Sequence, residues 1–100
     1  MSTKAEFRDY VVEQLGVCGV IRCRPMMGEY LLYCNEVLFG GFYDNRLLIK
    51  RTENNKKFNL KEAIPYPSAK PMYLIEDAED TDSLKEIIQT TCEELRTKKK

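Results

Sequence analysis

The stretch MMGEYLLYCNEVLFGGFYDNRLLIK, residues 26–50, decides the fold because short polar connections separate its apolar runs. The runs EYLLYC, VLFGGFY and RLLIKR (the last ending at residue 51) are rich in residues that favour strands. Asn35–Glu36 and Asp44–Asn45 connect the runs and are too short for a crossover. The stretch therefore predicts a meander of three adjacent antiparallel strands.

Apolar residues occupy both sides of the middle run. Simple alternation puts Val37, Phe39 and Tyr43 on one face and Leu38 and Phe42 on the other. A sheet with a solvated face normally alternates apolar with polar residues. We therefore expect both faces to be at least partly covered, by helices or by a partner molecule. The Gly-Gly pair inside this run predicts a bulge or a close approach of another backbone.

The residues before this stretch predict a helix and a strand. Thr3 and Glu6 fit a capping box at the start of an amphipathic helix that ends near Gly16. Val20–Arg24 has the residue types of a strand, and Pro25 is expected to end it. The sheet would then have a fourth strand before the meander.

The residues after the meander predict three further elements. A short helix is expected between Glu53 and Ile64, followed by a strand over Met72–Ile75. The final helix has an apolar stripe at steps of three and four residues and is expected to be capped by Thr81 or Asp82. The order of elements predicts an α+β domain in which N- and C-terminal helices pack on an antiparallel sheet. Residues 1–97 form this single domain, and residues 98–100 are expected to be a disordered basic tail.

Composition excludes several classes of protein. The chain has 100 residues, of which 43% are hydrophobic, and its 16 basic and 16 acidic residues give a formal charge of zero. No apolar run approaches the roughly 18 residues of a membrane span, and the N-terminus lacks the apolar segment of a signal peptide. The expected location is the cytoplasm.

The residues for common catalytic and metal chemistry are missing. There is no histidine, and residues 26–50 contain neither serine nor threonine. The chain has four cysteines, Cys18, Cys23, Cys34 and Cys92. Their spacing does not suit zinc, so we interpret them as structural thiols and predict no catalytic residue, no cofactor and no metal. A reactive Cys23 or Cys34 beside an arginine is the alternative.

Charge is segregated along the chain. Residues 46–61 are basic and residues 76–94 are acidic. A domain that binds nucleic acid usually has a net positive charge, which this chain lacks. Direct binding of nucleic acid is therefore not expected, and weak binding through residues 46–61 is kept as an alternative.

The run RPMMGEYLLY, residues 24–33, resembles the signature of the TfoX N-terminal domain family, which reads R-x-M-F-G-G-Y-G-L-Y. Phe39 and Lys50 match the phenylalanine and the hairpin lysine that follow in the family. The segment KPMYLI, residues 70–75, and the acidic approach to the last helix are similar as well. The resemblance covers the chain from its first helix to its last.

This resemblance implies a two-layer sandwich similar to that of type III secretion chaperones. The family's bacterial namesake regulates natural competence together with a cyclic-AMP-responsive transcription activator at promoters. No catalytic residues are established for the family, so none is carried over. The chain departs from the signature at Met27, Glu29, Leu31 and Glu36, where the family has phenylalanine or glycine.

Together these observations predict a non-enzymatic regulatory module that binds a protein partner. A transcription activator is one such partner, and a second copy of the chain is another. A small ligand-binding or thiol-dependent enzyme domain is the alternative function. The predicted interaction surface comprises Arg24, Met26, Gly28, Tyr30, Leu38, Phe42, Leu48 and Lys50.

Overall fold

A computed structural model describes residues 3–98, in which two α-helices pack against a six-stranded antiparallel sheet. The elements are α1 (Ala5–Leu15), β1 (Ile21–Met26), β2 (Glu29–Cys34), β3 (Val37–Phe42), β4 (Leu47–Ile49), β5 (Lys61–Ala63), β6 (Met72–Ile75) and α2 (Thr81–Lys98). Two short 3-10 helices cover Gly16–Cys18 and Asn54–Phe58. The strands lie in the order β1-β2-β3-β4-β6-β5. The predicted α+β class is confirmed.

Two-residue turns connect the first four strands. Both central residues of each turn have positive φ, as type I′ hairpin turns require. They are Met27 (51°) and Gly28 (85°), Asn35 (49°) and Glu36 (70°), and Asp44 (55°) and Asn45 (59°). The predicted three-strand meander is confirmed, and β1 extends it by a further hairpin.

A β-bulge interrupts the pairing of β2 with β3. Leu32 pairs with Gly40, whereas Tyr33 pairs with Leu38, so Phe39 has no partner of its own. The extra residue shifts the alternation of β3 by one position. The bulge predicted from the glycine pair is confirmed.

The bulge changes which aromatic rings share a face. Phe39 and Phe42 both lie in the core, so the predicted alternation, which separated them, is wrong. A Cβ atom on Gly40 would lie 2.2 Å from the backbone oxygen of Leu48, which no L side chain could tolerate. Glycine is therefore required where the bulged strand approaches β4.

Both helices pack on the same face of the sheet, which we call the covered face. The Phe7 ring of α1 meets the Phe42 ring edge-on, with 5.6 Å between centroids. Burial of these apolar side chains is the main stabilising contribution to the fold. The largest buried side chains of this core are Val11, Leu15, Leu32, Phe39, Phe42, Leu47, Ile49, Leu84 and Ile88.

Helix α1 starts differently from its prediction. Its N-cap is Lys4, and no side chain caps it. The Thr3 hydroxyl instead donates a hydrogen bond to a Glu29 carboxylate oxygen at 2.7 Å. The capping box predicted for Thr3 and Glu6 is wrong because the tertiary hydrogen bond takes the hydroxyl.

Helix α2 is capped one residue earlier than predicted. The Asp80 carboxylate accepts a hydrogen bond from the backbone N–H of Ser83 at 3.2 Å, so neither Thr81 nor Asp82 is the cap. The helix continues to Lys98, and the rest of the predicted basic tail lies outside the described residues. Neither α-helix within residues 3–98 is long and apolar enough to cross a membrane.

The two edge strands also differ from prediction. β1 continues through Pro25 to Met26, which an edge strand tolerates because one side of its backbone has no neighbour to bond. The helix predicted between Glu53 and Ile64 is reduced to the 3-10 helix Asn54–Phe58, and β5 follows it at the opposite edge. The prediction therefore missed the last two residues of β1 and all three residues of β5.

Candidate functional site

The face of the sheet opposite the helices, which we call the open face, carries the candidate site. Residues paired directly across an antiparallel sheet point to the same side, so strand register defines this face. One row of paired residues crosses the sheet from β2 to β6 and consists of Leu31, Gly41, Leu48 and Leu74. The other residues placed on this face by pairing are Arg22, Arg24, Met26, Glu29, Tyr33, Leu38, Lys61, Ala63 and Met72.

A loop formed by residues 64–71 crosses part of the open face. The Arg46 guanidinium holds the loop by donating hydrogen bonds to the backbone oxygens of Ile64 (3.2 Å) and Pro65 (3.5 Å). The same guanidinium donates a hydrogen bond to the backbone oxygen of Tyr43 (3.0 Å). The rings of Tyr43 and Tyr66 are 6.2 Å apart. These contacts attach the loop to the end of the β3–β4 hairpin.

A cavity of about 520 Å³ lies between the loop and the sheet. This volume falls within the roughly 300 to 1,000 Å³ of typical ligand pockets. Its apolar lining includes Leu31, Leu38 and Met72, and its charged lining consists of Lys50, Arg51 and Lys70. No carboxylate lines it in the described part of the chain. We call this space the cationic cavity.

A second groove, of about 790 Å³, adjoins the first at Tyr43, Pro65 and Tyr66. It ends at the β1–β2 turn, where the Met27 side chain is 97% exposed. Met27 also has a φ of 51°, a conformation that costs a residue with a Cβ atom roughly 1–2 kcal/mol. An exposed methionine at a strained turn thus borders an apolar groove.

The carboxylate of Glu29 fixes the geometry at this end of the sheet. One oxygen accepts the Thr3 hydroxyl, and the other accepts the backbone N–H of Asp44 at 3.0 Å. The Asn45 backbone N–H donates to the Thr3 hydroxyl oxygen at 3.2 Å, and the Lys4 N–H donates to the Asn45 side chain at 2.8 Å. The network ties the start of α1 to the β3–β4 turn.

The structure divides the predicted interaction surface between the two faces. Tyr30 and Phe42 point to the covered face, where their rings are 6.4 Å apart. Leu48 is on the open face but fully buried, and Gly28 lies in the β1–β2 turn. The predicted residues that lie on the open face or line its grooves with some exposure are Arg24, Met26, Leu38 and Lys50.

The sequence prediction missed the loop and its anchor. On sequence alone, Arg46 is only part of a basic segment and Lys70 only part of the KPMYLI segment, and Tyr66 has no assigned role. The signal that could have found them is the sequence PYPSAKP, residues 65–71, whose three prolines and small residues favour an ordered loop over a helix or strand.

The cysteines lie on the covered side. Cys18, Cys34 and Cys92 are buried, and burial raises the pKa of each thiol, to about 11 for Cys18 and about 12 for Cys92. Burial likewise raises the pKa of Cys23. The neighbouring arginines of β1 point to the opposite face, so the geometry expected for a thiol activated by them is absent. Within residues 3–98 no cluster of three or more acidic or thiol side chains could hold a metal ion.

The basic segment 46–61 does not form one positive surface. Arg51 pairs with Glu62 at 3.1 Å, and Lys61 pairs with Glu76 at 3.5 Å. The Arg46 guanidinium donates hydrogen bonds to the loop of residues 64–71. Four of the six cations of this segment, Arg46, Arg51, Lys56 and Lys61, therefore have hydrogen-bond or ion-pair partners within the chain.

No protein-family model matches the chain. The chain is 34% identical over 98 residues to the "Uncharacterized 12.7 kDa protein in trpE 5'region" of Spirochaeta aurantia. The alignment covers 95% of this chain and 85% of the Spirochaeta protein. Identity at this level over most of both chains indicates homology.

Proposed function

We propose that this chain, which belongs to the same family as the Spirochaeta aurantia protein, is a non-enzymatic module that binds another protein through its open face. One observation carries the proposal. Both helices cover one side of the sheet, while Leu31, Tyr33 and Leu38 remain only half-buried on the other. A solvated sheet face normally carries polar residues instead.

Two further features support a protein rather than a small substrate. The cationic cavity and the groove beside it are continuous around Tyr43 and Tyr66, which gives an extended site. Its lining supplies aliphatic, aromatic and cationic side chains and the carboxylates of Glu29 and Asp44, but no histidine or thiol. Both oxygens of the Glu29 carboxylate already accept hydrogen bonds, from the Thr3 hydroxyl and the Asp44 backbone N–H. Met27 and Tyr66 add exposed side chains of types common at protein interfaces.

The resemblance to the TfoX N-terminal domain family adds a regulatory role to the proposal, with a transcription activator as one type of partner. The four free cysteines fit a reducing compartment, so we place this role in the cytoplasm. These two parts of the proposal depend on residue patterns, whereas the binding face depends on the geometry described above.

Site-specific photo-crosslinking in the cells that produce the protein tests the proposal. A photoreactive amino acid replaces Leu38 on the open face, and in a control chain it replaces Glu86 on the exposed side of α2. We expect one discrete protein adduct from position 38 and none of that size from position 86. The partner, once purified, should bind the wild-type protein and fail to bind Leu38→Asp.

Two results would contradict the proposal. One is an identical set of adducts from both positions. The other is undiminished binding of the purified partner by a folded Leu38→Asp variant.

A further inference from the structure

We infer that the partner inserts a short segment, both acidic and apolar, into the cationic cavity. Its carboxylates lie near Lys50 and Lys70, and its apolar side chains pack on Leu31, Leu38 and Met72. This inference rests on the proposed function and specifies the chemistry of the partner.

The distribution of charge is the reason to expect acidic side chains in the bound segment. Elsewhere on this side of the sheet, Arg22 pairs with Glu36 at 3.0 Å and Lys61 pairs with Glu76, whereas Arg24 on the edge strand β1 makes no ion pair with any residue between 3 and 98. In the cavity lining, Arg51 pairs with Glu62, but Lys50 and Lys70 make no ion pair with any residue between 3 and 98. Two of the three cations that line the cavity therefore lack an acidic partner in the described part of the chain, and no carboxylate shares the lining with them.

The apolar lining of the cavity is the reason to expect apolar side chains in the same segment. Leu31, Leu38 and Met72 are each only partly buried, and they line the same cavity as the two lysines. An inorganic anion would satisfy the lysines but would leave this apolar surface in water. A segment with aliphatic and acidic side chains matches both parts of the lining.

A second copy of the chain fits this face less well. A twofold symmetric dimer places the same patch of each copy against the other. Pairing through the cavity would bring Lys50 and Lys70 of one copy towards those of its partner, and like charges oppose such an interface.

Single-stranded nucleic acid also fits less well, because sequence-independent binding needs aromatic rings on which bases stack. Tyr43 is only 7% exposed, and the Arg22 guanidinium covers the Tyr33 ring at 4.1 Å. Tyr66 is the one exposed aromatic ring among the described residues that line the cavity, and a single ring cannot stack successive bases. The accessible lining is mainly aliphatic. The observations therefore favour an acidic and apolar peptide.

Fluorescence anisotropy with labelled synthetic peptides tests this inference. The first probe is an eight-residue peptide of alternating leucine and glutamate. In the second probe lysine replaces glutamate, and in the third serine replaces leucine. A labelled twelve-nucleotide thymidine oligomer is the fourth. We expect the leucine–glutamate peptide to bind at least about tenfold more tightly than each other probe, and to bind more weakly as salt increases.

A matched pair of charge-reversal variants locates the binding. Lys50→Glu combined with Lys70→Glu should weaken binding of the leucine–glutamate peptide by about tenfold or more, since each exposed attraction becomes a repulsion. Lys57→Glu combined with Lys85→Glu changes the net charge equally but away from the cavity, and should alter binding less than about twofold. Circular dichroism confirms that both variants fold.

Several outcomes would overturn the inference. The leucine–lysine peptide could bind as tightly as the leucine–glutamate peptide, or the thymidine oligomer could bind more tightly than it. Both double variants could lose the same amount of affinity for the leucine–glutamate peptide. The protein could also sediment as a dimer that Leu38→Asp converts to a monomer. A partner crosslinked at position 38 that binds Lys50→Glu/Lys70→Glu normally would leave the proposed function standing and remove the acidic segment from it. The failure of that crosslink would instead remove the proposed function.

Discussion

The covered face and the open face are built from the same six strands, yet their side chains experience different surroundings. On the covered face, Phe39, Phe42 and Ile49 are fully buried under the two helices. On the open face, Leu31, Tyr33 and Leu38 keep part of their surface in water, and three cations share the cavity lining with Leu31 and Leu38. Apolar character alone therefore does not distinguish the core from the proposed interaction surface in this chain.

The difference lies in what each face receives from the flanking segments. The covered face receives two amphipathic helices, whereas the open face receives one loop held by the Arg46 guanidinium. A loop has no continuous apolar stripe and leaves cavities beside it. Substitutions should therefore affect stability through the covered face and binding through the open face.

The largest expected effect tests the core of the covered face. Phe42→Ala should lower the free energy of unfolding by about 3–5 kcal/mol, because it removes a fully buried ring and leaves a cavity. Tyr33→Ala on the open face is the comparison, and its loss should be less than half as large. Equilibrium urea unfolding measures both, and similar losses would show that the two faces do not differ in this way.

The second largest effect compares the stability lost at a buried leucine and at a partly exposed leucine, both on the open face. Leu48→Ala should cost about 2–4 kcal/mol, because Leu48 is fully buried between Gly41 and Leu74. Leu38→Ala should cost about 1 kcal/mol, because that side chain is already partly hydrated. The midpoints of urea unfolding compare the two variants. A larger loss for Leu38→Ala would mean that Leu38 belongs to the core and not to a binding surface.

The third effect uses pH to probe the covered face. Burial raises the pKa of Cys92 from 9.0 to about 12, so the unfolded chain releases this proton at lower pH than the folded chain. The resulting stability is fully present below pH 9 and is lost as pH rises towards 12.

Unfolding at pH 8 and pH 10.5 measures this effect. Cys92→Ala should be less stable than the wild type at both values because of its cavity. Between pH 8 and pH 10.5, however, the free energy of unfolding of Cys92→Ala should fall by about 1–2 kcal/mol less than that of the wild type. Equal pH dependence in the two proteins would contradict the assignment of a buried neutral thiol.

The smallest effect concerns the turn beside the second groove. Met27→Asn should raise stability by about 0.5 kcal/mol, because asparagine tolerates positive φ better than methionine and an Asn-Gly pair favours a type I′ turn. The same change should weaken binding of the photo-crosslinked partner if Met27 contributes apolar surface. A thermal melt and a binding titration measure the two quantities. Loss of stability would show that Met27 is held by contacts within the chain.

Local sequence signals predicted much of the meander. Asp44 and Asn45 are residue types that adopt positive φ readily, and the turn they form leaves little choice of strand pairing. The apolar stripe of α2 was equally clear, because Leu84, Ile88 and Cys92 recur at helical spacing and are all buried. These features depend on residues close together in the chain.

The missed features depend on contacts between distant residues. Thr3 leaves its predicted capping role for a carboxylate 26 positions away. Phe42 changes face because of a bulge whose exact position the sequence did not indicate. The cationic cavity required Arg46 to fix a loop 18 and 19 residues further on, which no local pattern predicts.

The edges of the sheet have a consequence for how the protein behaves in a crowded solution. Exposed edge strands can recruit strands from other chains and so start aggregation. β1 carries Pro25, which has no backbone N–H to offer, and β5 contributes only Lys61–Ala63, two of whose three residues are charged. Because both edge strands are poor templates for another strand, the chain should resist edge-to-edge polymerisation even though apolar side chains of its open face remain partly exposed.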